Sequence, residues 1–226
     1  MASLVLFDID GTLVSRAGPH HRQALEDACL QITGLSATTQ GIPVQGMLDG
    51  EILRQMLSAA GAAPSAIRAA LPAVMTRAQY LYSRSCPEIR DKVCPGVAEL
   101  LTALRRRGAV LGLVTGNLSR IAWKKMARAG LKPHFTFGAF AEQGPTRGAL
   151  ARLAVRHARA QNWVARQSPI TLIGDHPNDI KAARTAGIRS VAVGTGVVAL
   201  DELAQHQPDQ LVPDLRALDP AWLLSR

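Results

Sequence analysis

Four carboxylates in this sequence stand where apolar runs end. Leu4, Val5, Leu6, Phe7 and Ile9 lead into or flank Asp8 and Asp10, and the run ITLIG at 170–174 leads into Asp175, with Asp179 shortly after. A third run, AVLGLV, ends in Thr115, Gly116 and Asn117. In an extended chain Asp8 and Asp10 point to the same side, about 7 Å apart. That gap admits a phosphorus centre or a water molecule. Carboxylates grouped in this way repel one another and are costly to bury unpaired, so they require a cation or a solvated mouth. A donor set made only of oxygen suits Mg²⁺. Any one of the three clusters could be an ordinary helix cap; their convergence is what points to a site.

Convergence requires a sheet whose strands end on one rim. The first run is apolar without alternation, as in a strand buried on both faces. From residue 95 onward strand and helix patterns alternate. Apolar runs at 109–116, 135–141, 170–175 and 190–196 are separated by helical patterns, and DQLVPDL adds a short edge strand. Such alternation predicts a parallel sheet covered by helices on both faces, with the first strand as a member. In open sheets of this kind ligands bind beyond the carboxyl ends of the strands, where these polar clusters stand. Residues 15–94 instead read as helical throughout: HHRQALEDACLQITG, EILRQMLSAAGA and a pattern at 65–86 that Pro72 is expected to interrupt. The expected organisation is therefore an α/β, Rossmann-like parallel sheet core, 1–14 and 95–226, with an inserted all-helical cap domain, 15–94.

Asp8-Ile9-Asp10-Gly11-Thr12, Thr115-Gly116-Asn117 and Gly174-Asp175-His176-Pro177-Asn178-Asp179 follow one another in order, each at a strand end, with the helical insert after the first. This series resembles the DxDGT, Thr and GDxxxD motifs of the haloacid dehalogenase-like hydrolases, in particular the phosphoglycolate phosphatase-like branch with a helical cap. The resemblance covers essentially the whole chain. It implies a Mg²⁺-dependent phosphomonoester hydrolase acting on a small phosphorylated metabolite, phosphoglycolate by default, through an aspartyl phosphate. Asp8 would be the nucleophile. Asp10 would protonate the leaving oxygen and then activate water. Thr115 would hold the transferring phosphoryl, with Gly116 and Asn117 as further substrate contacts. Asp8, Asp175, Asp179 and the backbone carbonyl of Asp10 would hold the metal. Asp10 argues against dehalogenation, which has no leaving oxygen to protonate.

The family also needs a cation near the phosphoryl. The KPxP stretch common in this branch is absent, and AEQGPTRGAL stands in its place. Arg147 opens the helix there, against the preference of a helix start for acidic residues, which favours a functional reason. Lys124 and Lys125 are the alternatives. A sugar phosphomutase of the same superfamily is the rival enzyme. A phosphonate hydrolase, which needs a cap lysine, is disfavoured because the helical region holds only Lys92, at its end.

Several other residues read more simply as structure. His176 reads as a solvated loop histidine, and His20 and His21 as an exposed helix start near the cap hinge. Gly46-Met47-Leu48-Asp49 resembles a cap loop that reads G-x-T-D in related sequences, here with Leu48 in place of Thr. Cys29, Cys86 and Cys94 read as buried apolar fillers.

The 226 residues are 47% hydrophobic but only 4% aromatic, so the core is built from Ala, Leu, Val and Ile. The net charge of +9 raises the possibility of a non-catalytic anion- or nucleic-acid-binding module. No alternation of basic and aromatic residues, and no zinc or helix-turn-helix signature, supports one. Three irregularly spaced cysteines do not make a disulfide framework, and no apolar run approaches the ~18 residues of a membrane span. These features predict a soluble, cytoplasmic protein with no nucleic-acid or membrane partner; a monomer or homodimer is expected.

Overall fold

The strand β1, Leu4–Phe7, is buried along its whole length and lies at the centre of the sheet. Its side chains alternate between two cores: Val5 and Phe7 pack on one face, Leu4 and Leu6 on the other. The computed structural model describes residues 2–15 and 18–225. Among these, the sheet has six strands: β1, β2 (Val110–Val114), β3 (Phe137–Ala139), β4 (Ile170–Gly174), β5 (Arg189–Val193) and β6 (Gln210–Val212). Their order is β3-β2-β1-β4-β5-β6 and every pairing is parallel. The chain winds outward from β1 to β3, then returns to the other side of β1 to begin β4. The switch point, where a crevice opens at the strand ends, therefore lies between β1 and β4.

Helices cover both faces. They are α4 (Val97–Arg106), α5 (Ser119–Arg128), α6 (Arg147–Ala160), α7 (Pro177–Ala186), α8 (Leu200–Gln205) and α9 (Pro220–Leu224), after the three helices of the insert described below. In α4 the buried residues Val97, Leu100, Leu101 and Leu104 form the stripe expected of an amphipathic helix lying on a sheet.

Between β1 and α4 stand α1 (His20–Thr33), α2 (Asp49–Ala59) and α3 (Pro64–Ser85). They share a separate apolar cluster that includes Leu25, Leu53, Met56 and Val74 and that extends to Leu118 and Ile121 at the start of α5. The two segments joining this layer to the sheet run side by side. Val14 and Val93 form an antiparallel bridge, Ser15 N–H donates to the Lys92 carbonyl (2.7 Å), and Cys94 N–H donates to the Leu13 carbonyl (3.0 Å).

Two local expectations are corrected. Helix α3 runs through Pro72 without interruption. Pro72 and Arg68 both lie on the exposed side, so water can serve the Arg68 carbonyl that a prolyl nitrogen cannot, and the Thr76 hydroxyl donates to the Pro72 carbonyl at 2.9 Å. The strand expected over 135–141 is shorter, because only Phe137–Ala139 pair with β2.

Candidate active site

At the switch point Asp8 follows β1 and Asp175 follows β4, while Asp179 projects from the first turn of α7. All three are buried, and one oxygen of each lies within 4.8 Å of the others. Arg147, in the first turn of α6, reaches between them. Its Nη1 lies 3.0 Å from Asp8 Oδ1 and donates a short hydrogen bond to Asp179 Oδ1. Burial weakens the guanidinium's charge, but Asp179 and Asp8 outweigh it, so Arg147 stays cationic. One arginine does not neutralise three carboxylates. Burial, then the charges of Asp8 and Asp179, push the Asp175 carboxyl up to about 8. Burial likewise pushes Asp179 up to about 7, against the opposing charge of Arg147. Asp8 Oδ1 faces Arg147 without a directed hydrogen bond and is otherwise buried with no partner. Three buried carboxylates sharing one arginine, in an all-oxygen donor set, fit a hard divalent cation.

The backbone is shaped around this cluster. A Cβ on Gly11 or on Gly196 would overlap the Asp175 carboxylate, and Gly11 has φ +86°, a conformation that glycine adopts without strain. The Thr12 hydroxyl donates to Asp175 Oδ1 at 2.9 Å, which fixes that carboxylate's direction.

Asp10 is held apart from this group. Both its oxygens accept from Lys125 Nζ at 2.6 Å, and Oδ2 also accepts from Asn117 Nδ2 at 2.8 Å. Burial works against ionisation of Asp10, but the Lys125 charge and the hydrogen bonds from Lys125 and Asn117 outweigh it and hold the carboxyl below its ordinary value. The Asp10 side chain remains 41% exposed and faces a cavity, whereas Lys125 is 2% exposed. The Asp10 carboxylate therefore stands outside the three-carboxylate cluster, and any share in a metal site falls to its backbone.

The remaining predicted residues are distributed as follows. The Thr115 hydroxyl is fully buried and accepts from Asn117 Nδ2 at 3.0 Å. Neither Thr115 nor Gly116 lines the cavity, whereas Asn117 does. Gly116 meets the insert instead: its carbonyl accepts from Asp49 N–H at 2.8 Å, and a Cβ there would overlap the Met47 carbonyl. His176 caps α7 through Nδ1, which accepts from Asn178 N–H at 3.1 Å. Burial and the neighbouring Arg147 charge depress its pKa. The cavity, about 980 Å³, opens between sheet rim and insert, with Leu25, Ile42, Val44 and Ile52 on the insert side.

Sequence reasoning named Asp49 only as the last residue of a cap loop and read His21 as an exposed helix start. Both are in the site region: His21 Nε2 lies 3.1 Å from Asp49 Oδ2, and that oxygen also accepts Leu118 N–H at 2.8 Å. Lys125 did carry a signal. It shares the apolar face of α5 with Ile121, Ala122 and Met126, where a lysine must find a buried partner. Lys124 is half-buried and does not line the cavity.

A parallel α/β sheet whose switch-point crevice gathers three carboxylates and an arginine, beside an acid held on a buried lysine, defines an enzyme whose chemistry is carried by carboxylates. The haloacid dehalogenase-like hydrolase model matches residues 2–187, and the chain belongs to that family. The chain is 25% identical to the phosphoglycolate phosphatase of Pseudomonas syringae pv. tomato over 99% of this chain and 80% of the relative. Among solved structures it resembles CbbY from Rhodobacter sphaeroides in complex with xylulose-(1,5)bisphosphate (TM-score 0.73, 21% identity, 100% of both chains). It also resembles the beta-phosphoglucomutase of Clostridium difficile (TM-score 0.71, 18% identity, 99% of this chain and 96% of that one). At these identities the two structures speak for the fold alone. No helix among the described residues is long and apolar enough to cross a membrane.

Proposed function

We propose that this protein is a Mg²⁺-dependent phosphatase that hydrolyses a small phosphorylated metabolite through an aspartyl phosphate on Asp8. The observation that carries the reading is the division of labour between the first two aspartates: Asp8 lies buried against Arg147 and the carboxylate cluster, while Asp10 is held on Lys125 and faces the cavity. Asp8, Asp175, Asp179 and the Asp10 backbone carbonyl would hold Mg²⁺, which when bound supplies positive charge to the transferring phosphoryl oxygens.

In the first step an Asp8 oxygen forms a bond to phosphorus, the ester P–O bond breaks, and the leaving oxygen takes a proton from Asp10, which stands as a carboxylate on Lys125 before substrate binds and takes up that proton as the negative phosphoryl group enters the cavity and offsets the Lys125 charge. In the second, Asp10 takes a proton from water as that water's oxygen attacks phosphorus. Phosphate leaves and the Asp8 carboxylate is restored. Arg147 balances charge on Asp8 and on the phosphoryl. Asn117 fixes the direction of Asp10, and the Thr115 hydroxyl in turn holds the Asn117 amide. The division into a core, 1–14 and 95–226, and a cap, 15–94, belongs to the same reading: the helical layer covers the cavity and limits water while Asp8 is phosphorylated. Phosphoglycolate is the default substrate because of the relative from Pseudomonas syringae. We place the protein in the cytoplasm, as a monomer or homodimer.

The test is phosphate release from phosphoglycolate, sugar phosphates, nucleoside monophosphates and p-nitrophenyl phosphate, with and without Mg²⁺, beside Asp8→Asn. Turnover should need the metal and should fall by roughly 10⁴-fold or more in the variant, as when a covalent nucleophile is removed. Conversion of a sugar phosphate without phosphate release, in the presence of its bisphosphate, would make the protein a mutase. Absence of turnover on every ester by the folded protein would overturn the enzyme reading.

A further inference from the structure

Lys125 has three ammonium hydrogens and three acceptors: both oxygens of Asp10 at 2.6 Å, and His21 Nδ1 at 3.3 Å. An ammonium only donates, so His21 Nδ1 must accept. The proton of a neutral His21 ring then lies on Nε2, which faces Asp49 Oδ2 at 3.1 Å. The Tyr82 ring packs edge-on to His21 with centroids 5.5 Å apart, which limits the imidazole's freedom to turn.

The chain of contacts closes on itself through α5. Asp49 Oδ2 accepts the Leu118 N–H at the start of that helix, Gln79 of the insert accepts the Arg120 N–H at 2.9 Å, and Lys125 lies further along the same helix. His21, Asp49 and Gln79 all come from the helical insert, whereas Lys125 and Asp10 come from the sheet domain. The placement of Asp10 is thus tied to the seating of the insert on α5.

We propose that His21, oriented by Asp49, is a positioning residue that acts through Lys125 to aim Asp10 at the leaving oxygen, so that the acid is set for its task only when the insert is docked. The proposal rests on the phosphatase reading. Nothing in it requires His21 to touch substrate.

The test compares kcat/KM for glycerol 3-phosphate, an alkyl ester whose leaving oxygen must be protonated, with that for p-nitrophenyl phosphate, whose leaving group departs without help. This parameter covers events up to the phosphorylation of Asp8 and so isolates the acid step. In His21→Ala the loss on the alkyl ester should exceed the loss on the aryl ester by about tenfold or more. His21→Asn, which keeps an acceptor toward Lys125, should recover part of the difference. In the unaltered protein, ¹⁵N NMR should find the His21 proton on Nε2, and Lys125→Met should shift the Nδ1 resonance. Equal losses on both esters, or none, would overturn the positioning role while leaving the phosphatase reading intact. A ring protonated on Nδ1 alone would overturn the array itself. Absence of all turnover in the unaltered protein would remove the phosphatase reading and the positioning role together.

Discussion

Asp8 and Asp10 are two residues apart yet occupy different electrostatic surroundings, because different cations reach them from different helices. Arg147 from α6 serves Asp8 and Asp179, and Lys125 from α5 serves Asp10. The Asp pair, Asp175 and Asp179 could be named from sequence because each stands just beyond an apolar run. Arg147 could be named as well, as the cation at the start of its helix, but which aspartates it meets could not; nor does anything local say that Lys125 rather than Lys124 turns inward, except its place on the apolar face of α5. Glycines also belong to this scale. Gly196→Ala would drive a Cβ into the Asp175 carboxylate. We expect it to lower stability by about 1–3 kcal/mol, as overpacking does, and to weaken Mg²⁺ binding. Calorimetric titration with Mg²⁺ and urea unfolding of the variant check both; unchanged metal affinity would show that Asp175 is free to move.

Elements carry these side chains to the rim. Period-two packing of β1 leaves Asp8 at the strand end with both faces of the sheet filled beneath it. Helix α5 is held at its start by Asp49, Glu142 and Gln79, which serve the N–H groups of Leu118, Ser119 and Arg120. These are groups that a helix cannot satisfy internally, and acidic partners there also suit the helix dipole. Gln79→Ala should lower thermal stability modestly, by about 0.5–1.5 kcal/mol for one lost hydrogen bond, and should raise the protease sensitivity of the insert more than that of the sheet domain; limited proteolysis followed by mass spectrometry reads the difference. Helix α3 supplies a second case. Pro72 lies on the exposed side of an unbroken helix. Pro72→Ala restores a main-chain donor but enlarges the freedom of the unfolded chain. The first effect is larger, so we expect a net gain of about 1–2 kcal/mol, read as a higher urea midpoint.

At the scale of the whole molecule, the carboxylate cluster couples proton uptake to the fold and, on the proposed reading, to the metal. Asp175 and Asp179 are pushed up to about 8 and about 7 in the folded protein, from an ordinary value of 3.8. Without metal, the folded state holds protons across that interval that the unfolded state has released. Stability is therefore full below about pH 4 as far as these groups are concerned, and is lost as pH rises through about 7 to 8. On the proposed reading Mg²⁺ would bind the deprotonated forms, so its stabilising effect should grow over the same range. Melting temperatures measured from pH 5 to 8.5, in EDTA and in Mg²⁺, should diverge with rising pH; parallel curves would show that the cluster does not bind the metal. The sequence by itself determined the parallel sheet, the helical insert and the four rim aspartates, because strand burial, helical periodicity and strand-end polarity are local patterns. Tertiary structure alone decided which cation serves which aspartate, that α3 runs through Pro72, and that His21 and Asp49 meet Lys125. Those outcomes depend on distances between residues tens of positions apart, set by how the insert seats on α5 and by how β4 returns beside β1.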